Sequence, residues 1–309
     1  MTAMREATHE GREPFPRHVM DPRHGMSLAD RVADVCRWAM LRRKGKASPP
    51  QQARAPVAVC RTLISSRSLP EALVSLPALA ALGEPLAFDL CCDDSLEPAS
   101  LQRLLATRGI HAEVTSRKAF LDACAKSGAA TAEAFGRSFI WGTKFSFAVL
   151  RPSSLPVLYM DNDVLWFRPA VGSLGLQNLR DLLAVTDVAS SYDPGFLSWM
   201  EPDDAELLGR SHPVCAGIFA FPAGYQLPPW AERYILKQLE IGEPGYFFEQ
   251  TLIALLALKG AGTVPYDDLP TCGPRSTRYP SYRHHRWIAA HYAGPARRQF
   301  WRDAWSLQR

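Results

Sequence analysis

Two carboxylates one residue apart follow a short, largely apolar segment in the middle of the chain. That segment spans residues 155–160, Asp161 and Asp163 come next with Asn162 between them, and a second apolar segment spans residues 164–167. Carboxylates with this spacing can share one divalent cation and leave its other coordination positions to phosphate oxygens and water. An acidic turn between two strands fits the spacing equally well, because aspartate and asparagine are common in turns.

Further residues with chemical potential lie before and after this pair. They are Lys144, the small-residue turn Cys215-Ala216-Gly217, the pair Glu249-Gln250, and the C-terminal set His291, Gly294 and Arg297. Each has a structural alternative. A lone histidine at a strand end is often a satisfied core residue, and an acid at a helix start is favoured by the helix dipole. Lys144 fits a helix surface as well as a phosphate contact.

Strand-like and helix-like segments alternate from residue 56 onward. The pattern predicts strands over residues 57–64, 86–91, 110–115 and 157–160, and helices over 70–82, 98–107, 118–126 and 131–150. Alternation of this kind is typical of an α/β fold with a parallel, doubly wound sheet. Ligands bind beyond the carboxyl ends of such strands. The acidic pair is therefore expected at the edge of the sheet where ligands bind.

The second half of the chain continues the alternation less regularly. We predict strands over residues 185–191, 214–221, 263–266 and 287–291, and helices over 230–241 and 247–259. Residues 193–213 are rich in Gly and Pro. Phe196 and Trp199 within them fit the core, an acceptor platform or a lid.

Residues 1–55 differ from the rest and are predicted to be an N-terminal extension to one domain over residues 56–309. Residues 1–25 are polar and lack periodicity, as disordered segments do, and residues 46–56 are typical of a linker. Between them, residues 27–43 predict an amphipathic helix with a basic end. Such a helix either docks on its own domain or lies on an anionic membrane surface.

Composition excludes several classes of protein. The 309 residues are 47% hydrophobic, the net charge is only +4, and the longest apolar runs are too short for a membrane span. No nucleic-acid-binding motif is present. Seven scattered cysteines without a Cys-x-x-Cys pair indicate reduced, mostly buried thiols, and Cys91-Cys92 is expected in the core. With no signal-peptide pattern, we expect a cytoplasmic protein, with the inner membrane face as a possible location.

Taken in order, these residues make a recognisable set: Lys, then Asp-x-Asp after a strand, Ala-Gly-Ile-Phe, an acid-Gln pair and His-x-x-Gly-x-x-Arg. The set resembles the GT-A glycosyltransferases, specifically the family-8-like, retaining nucleotide-sugar transferases, over residues 56–301. The resemblance implies a Rossmann-like, mixed, mainly parallel sheet flanked by helices. Cys215 stands where that family commonly has asparagine or another polar residue, and Arg297 where it has lysine. These departures indicate a divergent, bacterial-type branch.

The resemblance also implies a uridine-diphosphate sugar donor and Mn²⁺ or Mg²⁺. Asp161, Asp163 and His291 match the metal ligands, and an imidazole beside carboxylates suits Mn²⁺ somewhat better. Matched positions for the nucleoside are Ser65, Asp93, Asp94 and Asn162; for the diphosphate Lys144, Gly294 and Arg297; for the donor sugar Ala216, Gly217, Glu249 and Gln250. Gln250 is expected nearest the anomeric carbon. Asp93 and Asp94 fit the cap of the next helix as well.

The activity implied is transfer of a sugar to an acceptor hydroxyl, with retention, in synthesis of a bacterial surface glycan. The acceptor would be a glycan, a lipid-linked glycan or a protein. A haloacid-dehalogenase-like phosphatase also places Asp-x-Asp after a strand, with the first Asp as nucleophile. In that family the motif normally lies near the start of the domain, whereas three predicted strands precede Asp161 here. A GT-A module that binds nucleotide-sugar without turnover is the second alternative.

Overall fold

A computed structural model of the protein describes residues 28–42, 55–271 and 286–307. The helices are α1 (Leu28–Arg42), α2 (Leu69–Ala80), α3 (Pro98–Ala106), α4 (Arg117–Ser127), α5 (Ala130–Ser138), α6 (Ile140–Phe145), α7 (Ala170–Ser173), α8 (Pro194–Leu197), α9 (Pro202–Arg210), α10 (Pro229–Ile241), α11 (Phe248–Lys259) and α12 (Arg297–Leu307). The strands are β1 (Ala58–Ile64), β2 (Leu86–Cys92), β3 (Ala112–Ser116), β4 (Val157–Met160), β5 (Val164–Trp166), β6 (Leu183–Thr186), β7 (Val214–Phe221), β8 (Gly262–Val264) and β9 (Ala289–His291).

Seven of these strands form one mixed, mainly parallel sheet. Their order is β3-β2-β1-β4-β7-β6-β8. The neighbours β1, β2, β3 and β4 pair in parallel, while β7 is antiparallel to both β4 and β6. Because β7 runs against its neighbours, its first residues lie at the edge where β1 and β4 end. The prediction of an α/β fold with a mainly parallel sheet is confirmed.

Both faces of the sheet are covered by apolar side chains. Along β4, Leu158 and Met160 pack into one apolar cluster, and Val157 and Tyr159 pack into another. Successive residues of a strand point to opposite faces, so the two clusters lie on either side of the sheet. All four side chains are at most 1% exposed, as expected for a strand in the middle of a sheet covered on both faces.

The remaining strands, β5 and β9, form a separate two-stranded antiparallel sheet. Val164 pairs with His291 there, so the segment that follows the acidic motif is joined directly to the C-terminal motif. This small sheet packs against α2 and α12. A third apolar cluster, which includes Leu165, Tyr292 and Phe300, joins the small sheet to α12.

The N-terminal helix α1 packs against α12 and α2. Cys36 and Met40 lie in the third apolar cluster, and the guanidinium of Arg298 on α12 pairs with Asp30 at 2.5 Å. Arg108 donates to the Leu41 carbonyl oxygen at the end of α1, at 2.6 Å. These are the contacts that the docking interpretation expects. The predicted disordered start and most of the predicted linker lie outside the described residues, and the domain boundary stays a prediction.

Among the described helices, none combines the length and the hydropathy that crossing a bilayer requires. Cys91 and Cys92 are fully buried, as expected for core residues. Cys272 lies outside the described residues.

The predicted continuous helix over residues 131–150 is wrong. The structure has α5, α6 and a following π-helical turn (Ser146–Leu150), with the chain extended at Phe139. A Cβ on Gly142 would lie 2.1 Å from the Phe135 carbonyl oxygen, so α6 crosses very close to α5. Tertiary packing thus breaks a segment whose local pattern is helical throughout.

Smaller corrections concern the second half. The strand predicted over 185–191 is β6, which ends at Thr186, and the one predicted over 287–291 begins only at Ala289. Residues 193–213 contain the helices α8 and α9, and neither these two nor α12 was predicted. Phe196 is fully buried, with its ring 4.5 Å from that of Phe248. It therefore belongs to the core and is not an acceptor platform.

Candidate metal and donor site

The acidic motif lies at the carboxyl end of β4, beside the first residues of β7. The Asp161 backbone N–H donates to the Gly217 carbonyl oxygen at 2.7 Å. The antiparallel direction of β7 places Ala216 and Gly217 at this edge, although they open a strand rather than end one. The residues that follow β4 and the first residues of β7, more than fifty positions apart in the sequence, thereby lie together at one edge of the sheet.

Three potential metal ligands converge here. One donor atom each from Asp161, Asp163 and His291 lies within 4.8 Å of the others. The imidazole Nε2 is 3.2 Å from Asp163 Oδ1 and 3.9 Å from Asp161 Oδ2. The Tyr292 N–H donates to the Asp163 carbonyl oxygen at 2.9 Å and holds the two segments in register. Two carboxylates and one imidazole fit Mn²⁺, and Mg²⁺ less closely.

Gly217 makes room for His291. A Cβ at Gly217 would lie 2.3 Å from Cε1 and 2.5 Å from Nδ1 of the imidazole, closer than real side chains approach. Only glycine therefore lets β7 and the His291 ring lie together without displacement. This requirement gives the Ala216-Gly217 turn a structural reason that is independent of any donor sugar.

Arg297 places a positive charge beside the carboxylates of the site. Its Nε donates to Asp163 Oδ2 at 2.9 Å, yet its side chain is 55% exposed. Gly294 has φ +54°, in the left-handed region that favours glycine, and opens a 3₁₀ turn that leads into α12 at Arg297. The C-terminal motif is thus one turn that places a guanidinium beside the triad.

Neighbouring charges shift the pKa values of Asp163 and His291. Burial raises the pKa of the Asp163 carboxyl, but the nearby His291 and Arg297 outweigh burial and lower it to about 2. Burial lowers the pKa of His291, and the neighbouring Cys215 sulfur and Asp163 carboxylate reverse this and raise it well above its usual range. Without a cation, the imidazole is therefore held protonated between acidic neighbours.

Lys144 lies behind Asp161, away from solvent. It is 3% exposed, and its Nζ donates to the Ala216 carbonyl oxygen at 2.9 Å and lies 3.3 Å from Asp161 Oδ1. Glu249 Oε1 is 3.4 Å from the same amine. Burial lowers the pKa of Lys144, but Asp161 and Glu249 outweigh it and raise it. Burial raises the pKa of Glu249 to about 7, although Lys144 opposes the shift.

Gln250 lies at the start of α11 next to Glu249, on the side of β7. Its Nε2 donates to the Val214 carbonyl oxygen at 3.2 Å. Glu249 is buried, whereas Gln250 is half-buried. The two neighbours in sequence therefore have different surroundings. The Glu249 carboxylate is buried and faces Lys144, whereas the Gln250 amide lies against Val214, the first residue of β7.

Asn162 joins the acidic motif to the end of β1. Its Nδ2 donates to the Leu63 carbonyl oxygen at 2.7 Å and to Ser68 Oγ at 3.0 Å. Its Oδ1 accepts from Thr62 Oγ1 at 3.1 Å. Ser65 belongs to the same turn, where its N–H donates to Ser68 Oγ at 3.0 Å. The amide that was expected to face a nucleoside thus also fixes the β1 end against the motif.

Asp93 and Asp94 lie farther along this edge, after β2. Asp93 Oδ1 accepts the Ser95 N–H at 3.0 Å, and Ser95 Oγ in turn accepts the Ser66 N–H at 2.8 Å. Asp94 Oδ2 is 3.5 Å from Arg117 Nη1. Their contacts order the loops after β1 and β2 and do not join them to the triad. The helix-cap alternative is also not observed, because Glu97 is the residue that caps α3.

Tyr159 was missed from the sequence, and Cys215 was named there only as part of the small-residue turn. The Tyr159 hydroxyl donates to Asp161 Oδ1 at 3.0 Å, and Cys215 Sγ lies 3.1 Å from His291 Nδ1. Tyr159 stands two positions before Asp161, so strand alternation places both on one face. For Cys215, the signal was its departure from the family pattern.

Comparison with known proteins gives similarity in structure alone. No protein-family model matches the chain, and no curated protein matches it. Apo mouse xyloside xylosyltransferase 1 is 12% identical with TM-score 0.51, over 76% of this chain and 98% of its own. The galactosyltransferase LgtC with donor and acceptor sugar analogs is 16% identical with TM-score 0.49, over 82% of this chain and 96% of its own.

A third similar structure is apo GlyE, a glycosyltransferase of Streptococcus pneumoniae. It is 12% identical with TM-score 0.47, over 82% of this chain and 62% of its own. Of these three structures, only the xylosyltransferase has a TM-score above 0.5, and at 12% identity it supports the fold and nothing finer. The predicted GT-A fold is confirmed.

Proposed function

We propose that this protein is a metal-dependent glycosyltransferase that moves a sugar from a nucleotide-diphosphate donor to an acceptor hydroxyl. One observation carries the proposal: Asp161, Asp163 and His291 converge within 4.8 Å at the ligand edge of a GT-A sheet. Arg297 lies beside them with more than half of its side chain exposed. A metal site next to an accessible guanidinium suits a diphosphate.

Asp161, Asp163 and His291 would hold the cation, Mn²⁺ in preference to Mg²⁺. When bound, the cation supplies Lewis-acid stabilisation of the charge that develops on the departing nucleoside diphosphate. Three protein ligands leave the remaining coordination positions of the cation to phosphate oxygens and water. His291 must release the Nε2 proton that Asp163 attracts, so metal binding and proton release are coupled.

Arg297 would bind the diphosphate directly. A guanidinium binds phosphate oxygens through two parallel hydrogen bonds, and Arg297 already has its Nε anchored on Asp163. With Nε held there, the two terminal nitrogens of the guanidinium would donate to the phosphate oxygens. The backbone at Gly294, which lacks a side chain, permits close approach of a phosphate group.

Lys144 and Glu249 would act on the site through Asp161. The buried amine orients the Asp161 carboxylate from behind, while Tyr159 donates to the same oxygen, Oδ1. Such preorganised charge costs no rearrangement during reaction. Gln250 and the Ala216-Gly217 turn would line the donor-sugar pocket. Asn162, Ser65, Asp93 and Asp94 would form the nucleoside end of the site, with Asn162 chiefly positioning the β1 turn.

The finer assignments follow the resemblance. The donor is proposed to be a UDP-sugar, and transfer is proposed to retain the anomeric configuration. The proposed acceptor is a surface glycan or a lipid-linked glycan, and a protein is the other acceptor class. The proposed location of the enzyme is the cytoplasm. Helix α1 docks on α12, and contact of this basic N-terminal helix with the inner membrane face stays a prediction.

A panel of nucleotide-sugars tests this function. Thermal shift and released nucleoside diphosphate are measured with and without Mn²⁺ for the wild type, Asp163→Asn and Asp204→Asn. Asp204 is a matched control because it is a buried aspartate paired with a lysine, Lys259, on α11. We expect one donor to stabilise and to be hydrolysed slowly only with Mn²⁺, and only Asp163→Asn to lose both effects.

Other outcomes point to the alternatives. Hydrolysis of an aryl phosphate that requires Asp161, without donor hydrolysis, would identify a phosphatase. Metal-dependent donor binding without hydrolysis or transfer would identify a binding module. No response to any donor with any divalent cation would contradict the metal site itself.

A further inference from the structure

Cys215 is the least expected residue in contact with the triad. Its side chain is 3% exposed, and its sulfur lies 3.1 Å from Nδ1 of His291. The Gly217 N–H donates to the same sulfur at 3.2 Å. The sulfur is thus approached by a backbone N–H and by an imidazole nitrogen.

The two nitrogens of the His291 ring face different surroundings. Nε2 faces the carboxylates of Asp163 and Asp161, and Nδ1 faces the Cys215 sulfur. A neutral imidazole has one N–H and one lone pair, and only the lone pair can bind a cation. If Nδ1 carries the hydrogen, Nε2 offers its lone pair toward the carboxylates. If Nε2 carries it, metal binding through that nitrogen is blocked.

The partner of Nδ1 therefore decides which tautomer is present. A sulfur that already accepts the Gly217 N–H behaves as an acceptor, so it favours a hydrogen on Nδ1. We infer that Cys215 is a positioning residue: its sulfur accepts the Nδ1–H hydrogen bond of His291 and so presents Nε2 to the cation. This inference rests on the proposed function, because it assumes that the triad binds a divalent cation.

Ring geometry separates this role from direct ligation. Nδ1 and Nε2 lie on different sides of the imidazole, so the sulfur is on the side of the ring away from the Asp163 carboxylate. Partners behind a ligating histidine typically change metal affinity by about 10–100-fold when removed. In most such sites the partner is a carboxylate or a carbonyl oxygen, and here it is a thiol sulfur.

The test compares Cys215→Ala, which removes the acceptor, with Cys215→Ser, which keeps a shorter one. Cys124→Ala is the matched control, since Cys124 is also buried but lies in a separate apolar cluster with Phe120 and Phe147. Mn²⁺ affinity of the full chain is measured from the loss of the free-ion EPR signal. The ¹⁵N chemical shifts of the His291 ring are measured in the Mg²⁺-loaded protein and report its tautomer.

We expect the dissociation constant for Mn²⁺ to rise about 10–100-fold in Cys215→Ala. Cys215→Ser should fall between Cys215→Ala and the wild type, and Cys124→Ala should equal the wild type. The wild-type ring should show the hydrogen on Nδ1 and a metal-bound Nε2. In Cys215→Ala saturated with Mg²⁺, a fraction of the His291 rings should carry the hydrogen on Nε2 and leave the cation to the two carboxylates.

Three results would overturn the inference while leaving the metal site intact. These are wild-type Mn²⁺ affinity in Cys215→Ala, weakened affinity with an unchanged tautomer, and an intense sulfur-to-metal charge-transfer band of the Co²⁺-loaded wild type that disappears in Cys215→Ala. The last result would make the sulfur a direct ligand. Failure of the wild type to bind Mn²⁺ would instead contradict the proposed function, so the two failures are distinguishable.

Discussion

The imidazole of His291 lies against the backbone of Gly217, in the space that any other side chain would fill. A Cβ at residue 217 would stand 2.3 Å from the ring. The contact joins the start of β7 to the end of β9, two segments that the sequence separates by more than seventy residues. The position of His291, the third proposed metal ligand, thus depends on the absence of a side chain on another strand.

Gly217→Ala is therefore expected to displace His291 and to weaken Mn²⁺ binding by at least about 10-fold, as loss of a metal-orienting contact does. Gly209→Ala is the control, because a Cβ there meets nothing within 4 Å, and alanine is favoured over glycine inside a helix. Titration with Mn²⁺ checks both variants. Equal affinity in Gly217→Ala and the wild type would show that His291 is not held by this contact.

Lys144 neutralises two carboxylates in a buried place, so Lys144→Met should destabilise the protein. Removing one partner of a buried ion pair costs about 3–5 kcal/mol, because the remaining charge loses its compensation. The free energy of unfolding in urea measures this cost. Lys118→Met is the control, since its pair with Asp122 is largely exposed and such pairs contribute about 0–1 kcal/mol. Equal small losses in both variants would contradict a buried ionic role.

The stability of the metal-free protein should depend on pH through Glu249. Burial raises the pKa of its carboxyl from the ordinary value of 4.5 to about 7, with Lys144 opposing. The folded protein then binds the proton more tightly than the unfolded chain. The contribution of Glu249 to the free energy of unfolding consequently falls as pH rises from about 4.5 to about 7.

Glu249→Gln carries no titrating group and should lack this fall. Urea unfolding with a chelator present, at several pH values across that window, compares it with the wild type. Glu206→Gln, which removes a carboxylate exposed on α9, should follow the wild-type curve. Parallel curves for the wild type and Glu249→Gln would show that the Glu249 carboxyl titrates alike in the folded and unfolded states.

Arg297 and Arg298 are adjacent but should differ in effect. Arg297 lies on Asp163 beside the triad, whereas Arg298 pairs with Asp30 of α1. Hydrogen bonds to charged groups contribute about 1.5–3 kcal/mol, so Arg297→Ala should weaken UDP binding with Mn²⁺ by about 10–100-fold. Arg298→Ala should leave it unchanged. Calorimetric titration with UDP measures both, and equal effects would place the diphosphate elsewhere.

Much of this site could be predicted because its residues follow local rules. Alternation of strands and helices predicted the parallel strands β1 to β4, and strand ends place chemistry at one edge. These rules place Asp161 and Asp163 at that edge, but their spacing fits an acidic turn equally well until the ordered resemblance is added. His291 needed the ordered resemblance, because a single histidine near a strand end carries no signal of its own.

The parts that could not be predicted depend on tertiary contacts. The apolar sequence of β7 does not indicate that the strand runs antiparallel to its neighbours. That direction nevertheless brings Cys215 to His291. The break between α5 and α6 follows from close packing at Gly142. Helix α12 was missed because six of its eleven residues are polar and three are aromatic. Its apolar face becomes apparent only where Phe300 and Trp301 pack with α1.

The most direct measurement of the central claim is anomalous diffraction from crystals of the protein grown with Mn²⁺ and UDP. The account predicts one manganese peak bound by Asp161, Asp163 and His291, with the UDP diphosphate on the same ion and beside Arg297. Asp163→Asn crystals grown in the same way should lack the peak. UDP bound without manganese at this triad, or manganese bound only elsewhere, would contradict the account.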